Sequence, residues 1–356
     1  MGAYRELVAE LDLRCRLETR SAYVYTDDDP ESLEAELDAA LDLGLPAVLE
    51  PVPTSSHLAL AFRDQAQFHP REFLLGLAGK FVEAGGLLVE NARVTEIEQD
   101  GGRSRVETSL GSFHAENVVL ATLFPLFDRS LFSLRLKPVQ HFGMAFQGPR
   151  GQFEGMFIGT NGPSFRSHGD LLVVVGESEE MGHADNAYEK LERQARERLV
   201  LGDEVARWSA HDLVTPDGVP FIGTFRPGSS HRFTATGFGG WGITSAMVAS
   251  CILPDLIADR EHPWAELYSP WRSGGVVRQA AEQAATAVQH LVRGKPRCSH
   301  MGCALSFNRD DATWDCPCHG SRFDVEGRVL WGPAVEPVEV EGPEGELEGA
   351  ETRGTP

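Results

Sequence analysis

The chain has 356 residues, of which 42% are hydrophobic and 24% are charged, and these proportions exclude a disordered or fibrous protein. The formal net charge of −21 argues against nucleic-acid and anionic-membrane partners, because both attract basic surfaces. A chain of this length is expected to fold as two or three units.

The N-terminal third predicts mixed helix and strand. Asp29–Pro30 have the residue types of a helix N-cap and first turn, and Gly44 is a typical stop for the helix that follows. A second helix is predicted after His69–Pro70, since apolar residues recur at helical spacing until Gly85–Gly86. The apolar run Leu87–Glu90 predicts a strand directly after this helix.

Turn signals divide residues 94–122 into short β-prone runs. The signals lie at Asp100–Gly102 and Leu110–Gly111. They predict a three-stranded meander that ends in Val118–Ala121.

Residues 130–225 are richer in strand and predict an antiparallel substrate or cap domain. Leu171–Gly176 predicts a strand within it, and Ala187–Arg198 predicts a polar helix. The next strand, Arg232–Thr236, runs into the glycine-rich loop Gly237–Gly242.

Two more helices are predicted downstream, at 243–257 and at Val277–Val292. The second lies in a linker, 271–295, and leads to the cysteine-rich segment. Glycine, proline and acidic residues dominate 343–356, so a disordered tail is expected there.

Four of the six cysteines lie between Cys298 and Cys318, and this clustering favours a metal site over a disulfide framework spread along the chain. No apolar run reaches the roughly 18–20 residues that a membrane-spanning helix needs. The N-terminus lacks the pattern of a secretory signal, so we expect a cytoplasmic protein with no membrane span.

Two short segments carry the metal-binding pattern. Cys298-Ser-His300 offers a thiolate and an imidazole, and Cys316-Pro-Cys-His319 offers the same pair after fifteen intervening residues. A Rieske [2Fe–2S] cluster needs two thiolates on one iron and two imidazoles on the other. The spacing therefore predicts Cys298, His300, Cys316 and His319 as cluster ligands. The same four side chains also suit tetrahedral Zn²⁺, which leaves a zinc-stabilised interaction module as an alternative.

The segment resembles the Rieske proteins of cytochrome bc complexes, whose loops read C-x-H-x-G-C and C-P-C-H-G-S. The matching stretches are Cys298–Cys303 and Cys316–Ser321. The resemblance implies a disulfide between Cys303 and Cys318, and it implies that Gly332–Ala334 forms the proline loop over the far side of the cluster.

By the same resemblance, the Ser321 hydroxyl donates to a cluster sulfur, which favours the reduced state. Phe323 stands where high-potential relatives have a tyrosine that bonds a ligand sulfur, so we expect a potential below the top of the roughly −150 to +300 mV Rieske range. Because only Arg293–Arg297 separate the predicted helix from Cys298, the base sheet of this domain, 296–342, is expected to be abridged.

The loop Gly237–Gly242 satisfies G-x-G-x-x-G after a strand and before a helix. A primary dinucleotide-binding motif also needs a second parallel strand that ends in an acid, and Glu261–Glu266 does not read as one. A glycine-rich turn that serves only tight packing is the alternative.

Several stretches together resemble the glycine/D-amino-acid oxidase family of FAD-dependent oxidoreductases, and in particular bacterial members with a fused C-terminal Rieske module. They are Phe68–Pro70, Val118–Thr122, Arg207–His211, Thr215–Gly223 and Ala235–Thr244. The resemblance covers about residues 1–270. It implies an N-terminally truncated α/β fold of the FAD/NAD(P)-binding kind, with an antiparallel β-rich substrate domain and a small all-β Rieske module.

The resemblance also implies the residues that approach FAD. The glycine loop meets the isoalloxazine end, where helix-terminal N–H groups stabilise negative charge on the reduced ring, and one backbone position meets the adenine. The loop positions are Gly237, Gly239, Gly240, Gly242 and Thr244, and the adenine position is Val94.

Family members begin with a strand, a G-x-G-x-x-G loop and a second, acid-tipped strand, and none of these precedes Tyr4. FAD is therefore expected in the full-length enzyme and only weakly, or not at all, in the chain as given. Either the true start lies upstream or the chain is a remnant.

The resulting hypothesis is a flavin–Rieske oxidoreductase that oxidises a small amine or amino acid and passes single electrons through the cluster. An electron-transfer protein whose flavin fold has lost FAD is the alternative. The acidic surface suits a basic redox partner, although it also serves solubility. No catalytic base stands out, because His141, Arg166 and His211 read as ordinary hydrogen-bonded residues.

Overall fold

The computed structural model describes residues 2–52, 58–100, 102–126, 132–149, 151–182, 186–272, 279 and 296–340. The helices are α1 (Gly2–Glu10), α2 (Pro30–Asp42), α3 (Pro70–Glu83), α4 (Ala187–Arg198), α5 (Gly242–Ile257) and α6 (Ala265–Tyr268), with a 3₁₀ turn at Phe132–Leu134. The strands of the N-terminal half are β1 (Glu18–Tyr25), β2 (Ala47–Pro51), β3 (Leu58–Gln67), β4 (Val94–Asp100), β5 (Arg103–Thr108), β6 (Gly111–Ala115), β7 (Val118–Leu120), β8 (Lys137–Gln147), β9 (Gly155–Gly159), β10 (Ser164–His168) and β11 (Leu171–Glu180). The remaining strands are β12 (Glu204–Val214), β13 (Phe221–Thr224), β14 (Arg232–Thr236), β15 (Ser306–Asn308), β16 (Thr313–Asp315), β17 (Arg322–Phe323) and β18 (Val329–Trp331).

The first compact unit comprises residues 1–91, 141–178 and 186–210. Its eight-stranded sheet has the order β12-β8-β11-β10-β9-β1-β3-β2. The pairings β1–β3, β2–β3, β9–β10 and β10–β11 are antiparallel, whereas β1–β9 is parallel. The strand-rich prediction for 130–225 is confirmed, but three N-terminal strands also join this sheet, which the local pattern did not indicate.

The predicted helix starts are confirmed, with side chains that cap them. The Asp29 carboxylate accepts from the Ser32 N–H at 3.1 Å where α2 begins. His69 Nδ1 accepts from the Glu72 N–H at 3.3 Å at the start of α3. The polar helix α4 has the predicted bounds.

Two strand predictions are corrected. Leu87–Glu90 is not a strand, and its leucines are exposed, Leu87 by 76%. An apolar run becomes a strand only where a neighbouring backbone offers hydrogen-bond partners, and in the described residues none pairs with this run. The meander consists of β4, β5 and β6 alone, because β7 pairs in parallel with β14 in another sheet.

The second compact unit comprises residues 92–140, 179–185 and 211–356. Besides the meander, it contains the three-stranded sheet β13-β14-β7 and the four-stranded sheet β15-β16-β17-β18. Buried residues of β13, β14 and α5 pack together in one apolar cluster, so this helix covers the three-stranded sheet. The small sheet builds the C-terminal all-β module that the sequence predicted.

The predicted helix at 277–292 lies outside the described residues except for Gln279, and so does the predicted tail at 343–356. None of the helices in the described part of the chain combines the length and apolarity of a membrane span.

Candidate metal centre

The first ligand segment is a tight loop that precedes β15. The Cys298 carbonyl accepts from the Gly302 N–H at 2.9 Å, and the Cys298 N–H donates to the Cys303 carbonyl at 2.8 Å. Gly302 has φ +75°, a left-handed conformation that other residues adopt only with strain. The glycine of the motif is therefore explained by the shape of the loop.

The second ligand segment repeats this geometry between β16 and β17. The Cys316 carbonyl accepts from the Gly320 N–H at 3.0 Å, and the Cys316 N–H donates to the Ser321 carbonyl at 2.8 Å. Gly320 has φ +80°. Two loops of the same hydrogen-bonded form thus present one cysteine and one histidine each.

The four predicted ligands lie in these loops and are largely buried. Cys298, Cys316 and His319 are 3%, 0% and 5% exposed. The imidazoles of His300 and His319 lie 5.0 Å apart between ring centroids, and the Nδ1 atom of each is buried. Two buried thiols and two neighbouring imidazoles form the donor set that a Rieske cluster requires, so the residues present fit that group.

The two thiols interact directly. A hydrogen bond from the Cys316 thiol lowers the pKa of Cys298 to about 7, and backbone N–H groups act in the same direction. The same contact and burial raise the pKa of Cys316 well above its usual value of 9.0. A bound cation favours the thiolate form of both cysteines, which burial alone does not.

A disulfide joins Cys303 and Cys318, the pair implied by the Rieske resemblance, with their Cα atoms 6.6 Å apart. The sulfur atoms of these two residues and of Cys316 lie within 4.8 Å of one another. Because the disulfide occupies two of the three sulfurs, this triad is not itself a metal site.

Ser321 is fully buried, and its hydroxyl connects two parts of the site. The hydroxyl hydrogen-bonds to the Cys298 thiol, and its oxygen accepts from the Ala334 N–H at 3.0 Å. The predicted proline loop, Gly332–Ala334, therefore lies against Ser321 of the second ligand segment. Phe323 is also fully buried and packs in the apolar cluster that contains Cys298 and Cys316.

A buried polar network supports the second loop from behind. Arg322, which is 5% exposed, donates to Asp315 at 3.0 Å and to Asp311 at 2.7 Å. Gln140, in the first half of β8, donates to Asp311 at 3.0 Å, and Asn308 donates to Asp315 at 3.0 Å. Burial raises the pKa of Asp315 despite the facing guanidinium. Sequence reasoning missed this network, because no motif marks it.

The glycine loop between β14 and α5 has left-handed backbone at Gly237, Gly239 and Gly240. A Cβ on Gly237 would lie 2.4 Å from Thr215 Cγ2, so this glycine is needed for close packing. The Gly239 N–H donates to the Leu213 carbonyl at 3.0 Å.

Other donors of this loop also have partners within the protein. The Gly240 N–H donates to the Asp212 carboxylate, and the Thr244 hydroxyl donates to the Trp241 carbonyl at 3.1 Å. Gly242 opens α5, where helix-terminal N–H groups attract negative charge. The remaining predicted FAD position, Val94, is half-buried at the start of β4, opposite Thr108.

The three polar residues considered as catalytic groups lie in different strands. Arg166, in β10, donates to Gln67 at 3.4 Å, and burial lowers the pKa of its guanidinium. His141 lies in β8. His211 is half-buried near the end of β12, where burial and the nearby Arg322 lower its pKa to about 4, so it is neutral at pH 7.

His211 lies against the second ligand loop. A Cβ added at Gly320 would lie 3.4 Å from His211 Cδ2, and the imidazole meets the Trp331 ring edge-on at 5.4 Å. Asp212, the next residue, holds the glycine loop. One dipeptide therefore contacts both the predicted cluster loop and the predicted flavin loop.

Comparison with known proteins gives two family matches. The family described as FAD dependent oxidoreductase matches residues 1–256, and the Rieske [2Fe-2S] domain matches residues 279–341. The first match covers more than half of the chain. These matches indicate FAD and a [2Fe–2S] cluster as cofactors. The cluster agrees with the sequence prediction, whereas the sequence led us to expect FAD in the full-length enzyme and only weakly, or not at all, in the chain as given.

Individual relatives agree with both matches. YhfW of Bacillus subtilis (strain 168), named as a Rieske 2Fe-2S iron-sulfur protein, is 28% identical over 93% of this chain and 76% of its own length. The cytochrome b6-f complex iron-sulfur subunit 2 of Trichormus variabilis is 46% identical over 12% of this chain and 24% of its own length. The glycine oxidase structure from Geobacillus kaustophilus aligns with a TM-score of 0.68 and 21% identity, over 77% of this chain and 81% of that one, which establishes a similar fold.

Proposed function

Because the chain belongs to the FAD-dependent oxidoreductase family and carries a Rieske [2Fe–2S] domain, we propose that it oxidises a small amine or amino acid and delivers the electrons singly through the cluster. The observation that carries this proposal is the His211–Asp212 dipeptide near the end of β12. His211 packs on the second ligand loop, and Asp212 accepts from the glycine loop, so the two predicted redox sites share a short covalent connection.

The two cofactors have complementary electron chemistry. When bound, FAD supplies a hydride acceptor, and a Rieske cluster exchanges one electron at a time. Oxidation of an amine breaks a C–H bond, removes a hydride and a proton, and leaves an imine that water hydrolyses to a carbonyl compound and ammonia. The two electrons then leave as two single electrons to a one-electron acceptor. A cluster beside the predicted flavin loop suits this conversion of a two-electron oxidation into two single-electron transfers.

The substrate class rests on the fold family. The solved structures with a similar fold include a glycine oxidase and an L-proline dehydrogenase, and both names refer to small amino acids as substrates of those proteins. In the described residues, Asp212 places a carboxylate at the glycine loop. A carboxylate at this position favours a substrate with a cationic amine.

An anaerobic titration tests the proposal. Purified protein, reconstituted with FAD, is mixed with a panel of amines and amino acids while flavin absorption and the electron paramagnetic resonance of the cluster are followed. The expected result is bleaching of the flavin together with a rhombic signal from the reduced cluster. With ferricyanide as acceptor, two equivalents are expected to be consumed for each carbonyl product.

A Cys316→Ser variant is the control, because it removes one predicted ligand and leaves the glycine loop unchanged. It is expected to retain flavin bleaching and to lose the rhombic signal. Stoichiometric zinc without a rhombic signal in the wild-type protein would refute the redox function. Cluster absorption without any flavin binding would instead identify an electron-transfer protein.

A further inference from the structure

Phe124 lies where the flavoprotein core meets the two predicted histidine ligands. Its side chain is 2% exposed and belongs to an apolar cluster with Leu120 of β7 and Phe132. The ring also meets the imidazole of His300 at 6.0 Å and that of His319 at 5.7 Å, both edge-on. These are the distances and angles at which aromatic rings attract one another.

The backbone around Phe124 is fixed by specific contacts. Leu123 has φ +63°, an unfavourable conformation for a leucine, and its carbonyl accepts from the Thr236 hydroxyl. The Thr122 hydroxyl donates to the Phe124 carbonyl at 2.8 Å. Non-glycine residues held in the left-handed region persist where the surrounding structure fixes them, often at functional sites.

The segment after β7 also lies at the edge where a cofactor is expected. Strands β7 and β14 are parallel, so their carboxyl ends meet at one edge of the sheet. Phe124 follows β7 at that edge, and the glycine loop follows β14. In open α/β sheets, ligands bind outside the carboxyl ends of the strands. Phe124 therefore lies at the edge of the sheet where a cofactor is expected, and its ring also contacts the two imidazoles.

We propose that Phe124 is a positioning residue for the cluster. Its ring holds both imidazoles and excludes water from the histidine side of the cluster. This side then faces the flavin site of the same chain. The inference rests on the proposed function. Leu126 supports it, because a Cβ on Gly332 of the proline loop would lie 3.3 Å from Leu126 Cδ2. The segment 122–126 thus contacts both the imidazoles and the predicted proline loop.

The exclusion of water by the Phe124 ring is expected to affect the reduction potential of the cluster. Reduction adds one negative charge to a cluster that two thiolates and two neutral imidazoles bind. A water-excluded, apolar surrounding disfavours the more highly charged state, so the Phe124 ring is expected to hold the reduction potential down. Removing the ring admits water and releases the imidazoles.

The test compares Phe124→Leu with Phe132→Leu. Phe132 is fully buried in the same apolar cluster, but its ring packs on Phe225 and Trp271. Phe124→Leu is expected to shift the reduction equilibrium about threefold to tenfold toward the reduced state, a rise of about 30–60 mV for a one-electron couple. It is also expected to change the imidazole nitrogen couplings in the pulsed electron paramagnetic resonance spectrum. Phe132→Leu is expected to leave both at the wild-type values.

Phe124→Met is measured in parallel, because it retains apolar volume without the ring. It tests the same inference if Phe124→Leu does not fold. It is expected to change the nitrogen couplings as Phe124→Leu does, because the ring is lost, and to raise the potential by less, because its longer apolar side chain still excludes water. Wild-type potential and couplings in the Phe124 variants, or equal shifts in Phe132→Leu, overturn the inference.

These readouts require only the cluster, so they remain valid in protein without flavin. A wild-type protein in which amines bleach the flavin and leave the cluster oxidised refutes the proposed function separately.

Discussion

The hydroxyl of Ser321 provides the sharpest test of the cluster environment. It is fully buried, bonds to the Cys298 thiol and is oriented by the Ala334 N–H, which donates to its oxygen at 3.0 Å. Ser321→Ala removes this hydroxyl and leaves the four predicted ligands in place. We expect the variant to bind the cluster and to have a lower reduction potential.

The magnitude follows from the strength of the bond. A hydrogen bond to a charged group contributes about 1.5–3 kcal/mol, and it is stronger in the reduced state, whose sulfurs carry more negative charge. If about half of that strength distinguishes the two states, the loss is about 0.7–1.5 kcal/mol. For a one-electron couple this lowers the potential by about 30–65 mV. The unpaired Ala334 N–H should also destabilise the fold by about 1–3 kcal/mol.

Protein-film voltammetry measures the potential, and thermal unfolding measures the stability. Ser306→Ala is the matched control, because it removes a hydroxyl from β15, outside both ligand loops. The control is expected to keep the wild-type potential. An unchanged or higher potential in Ser321→Ala would show that the hydroxyl does not stabilise the reduced cluster.

Three further predictions concern the same compact unit. Phe323→Tyr should raise the potential by about 30–60 mV, since a phenol can donate to a ligand sulfur. Asp217 accepts two hydrogen bonds of 2.7 Å from Arg272, which lower its pKa below 3.8, so Asp217→Asn should cost about 1–3 kcal/mol at pH 7. Ala312 has φ +52°, so Ala312→Gly should stabilise the fold by about 0.5–1 kcal/mol.

The outcomes are distinct for each variant. A potential in Phe323→Tyr at or below the wild-type value would contradict the first prediction. The Asp217 carboxylate stabilises the fold fully above its unfolded pKa of 3.8, and this stabilisation is lost as the pH falls through the lower folded pKa. In Asp217→Asn, the free energy of unfolding in urea should therefore decrease less as the pH is lowered. Ala246→Gly, in the exposed interior of α5, is the control for Ala312→Gly and should destabilise by about 1 kcal/mol.

The local features of this protein were predictable because short segments encode them. The caps at Asp29 and His69 and the bounds of α4 follow from residue types a few positions apart. The two ligand loops are also local, since each closes on itself between a cysteine and a glycine four residues later. Their spacing was therefore sufficient to predict the donor set.

Other features depend on partners that lie far away in the chain, and only the tertiary structure decided them. Leu87–Glu90 has the composition of a strand, but no neighbouring backbone in the described residues pairs with it. β7 leaves the meander because β14, more than a hundred residues later, offers a parallel edge. A periodic pattern records which face is apolar, but not which element covers that face.

The same holds for the surroundings of the metal site. Phe124 and His319 are almost two hundred residues apart, and Gln140 reaches Asp311 across a similar separation. Nothing in either local sequence marks these contacts, since a buried phenylalanine or glutamine has the same pattern wherever it packs. The sequence determined which groups can bind the cluster, whereas the packing of distant segments decided what surrounds it, because those contacts exist only once the chain has folded.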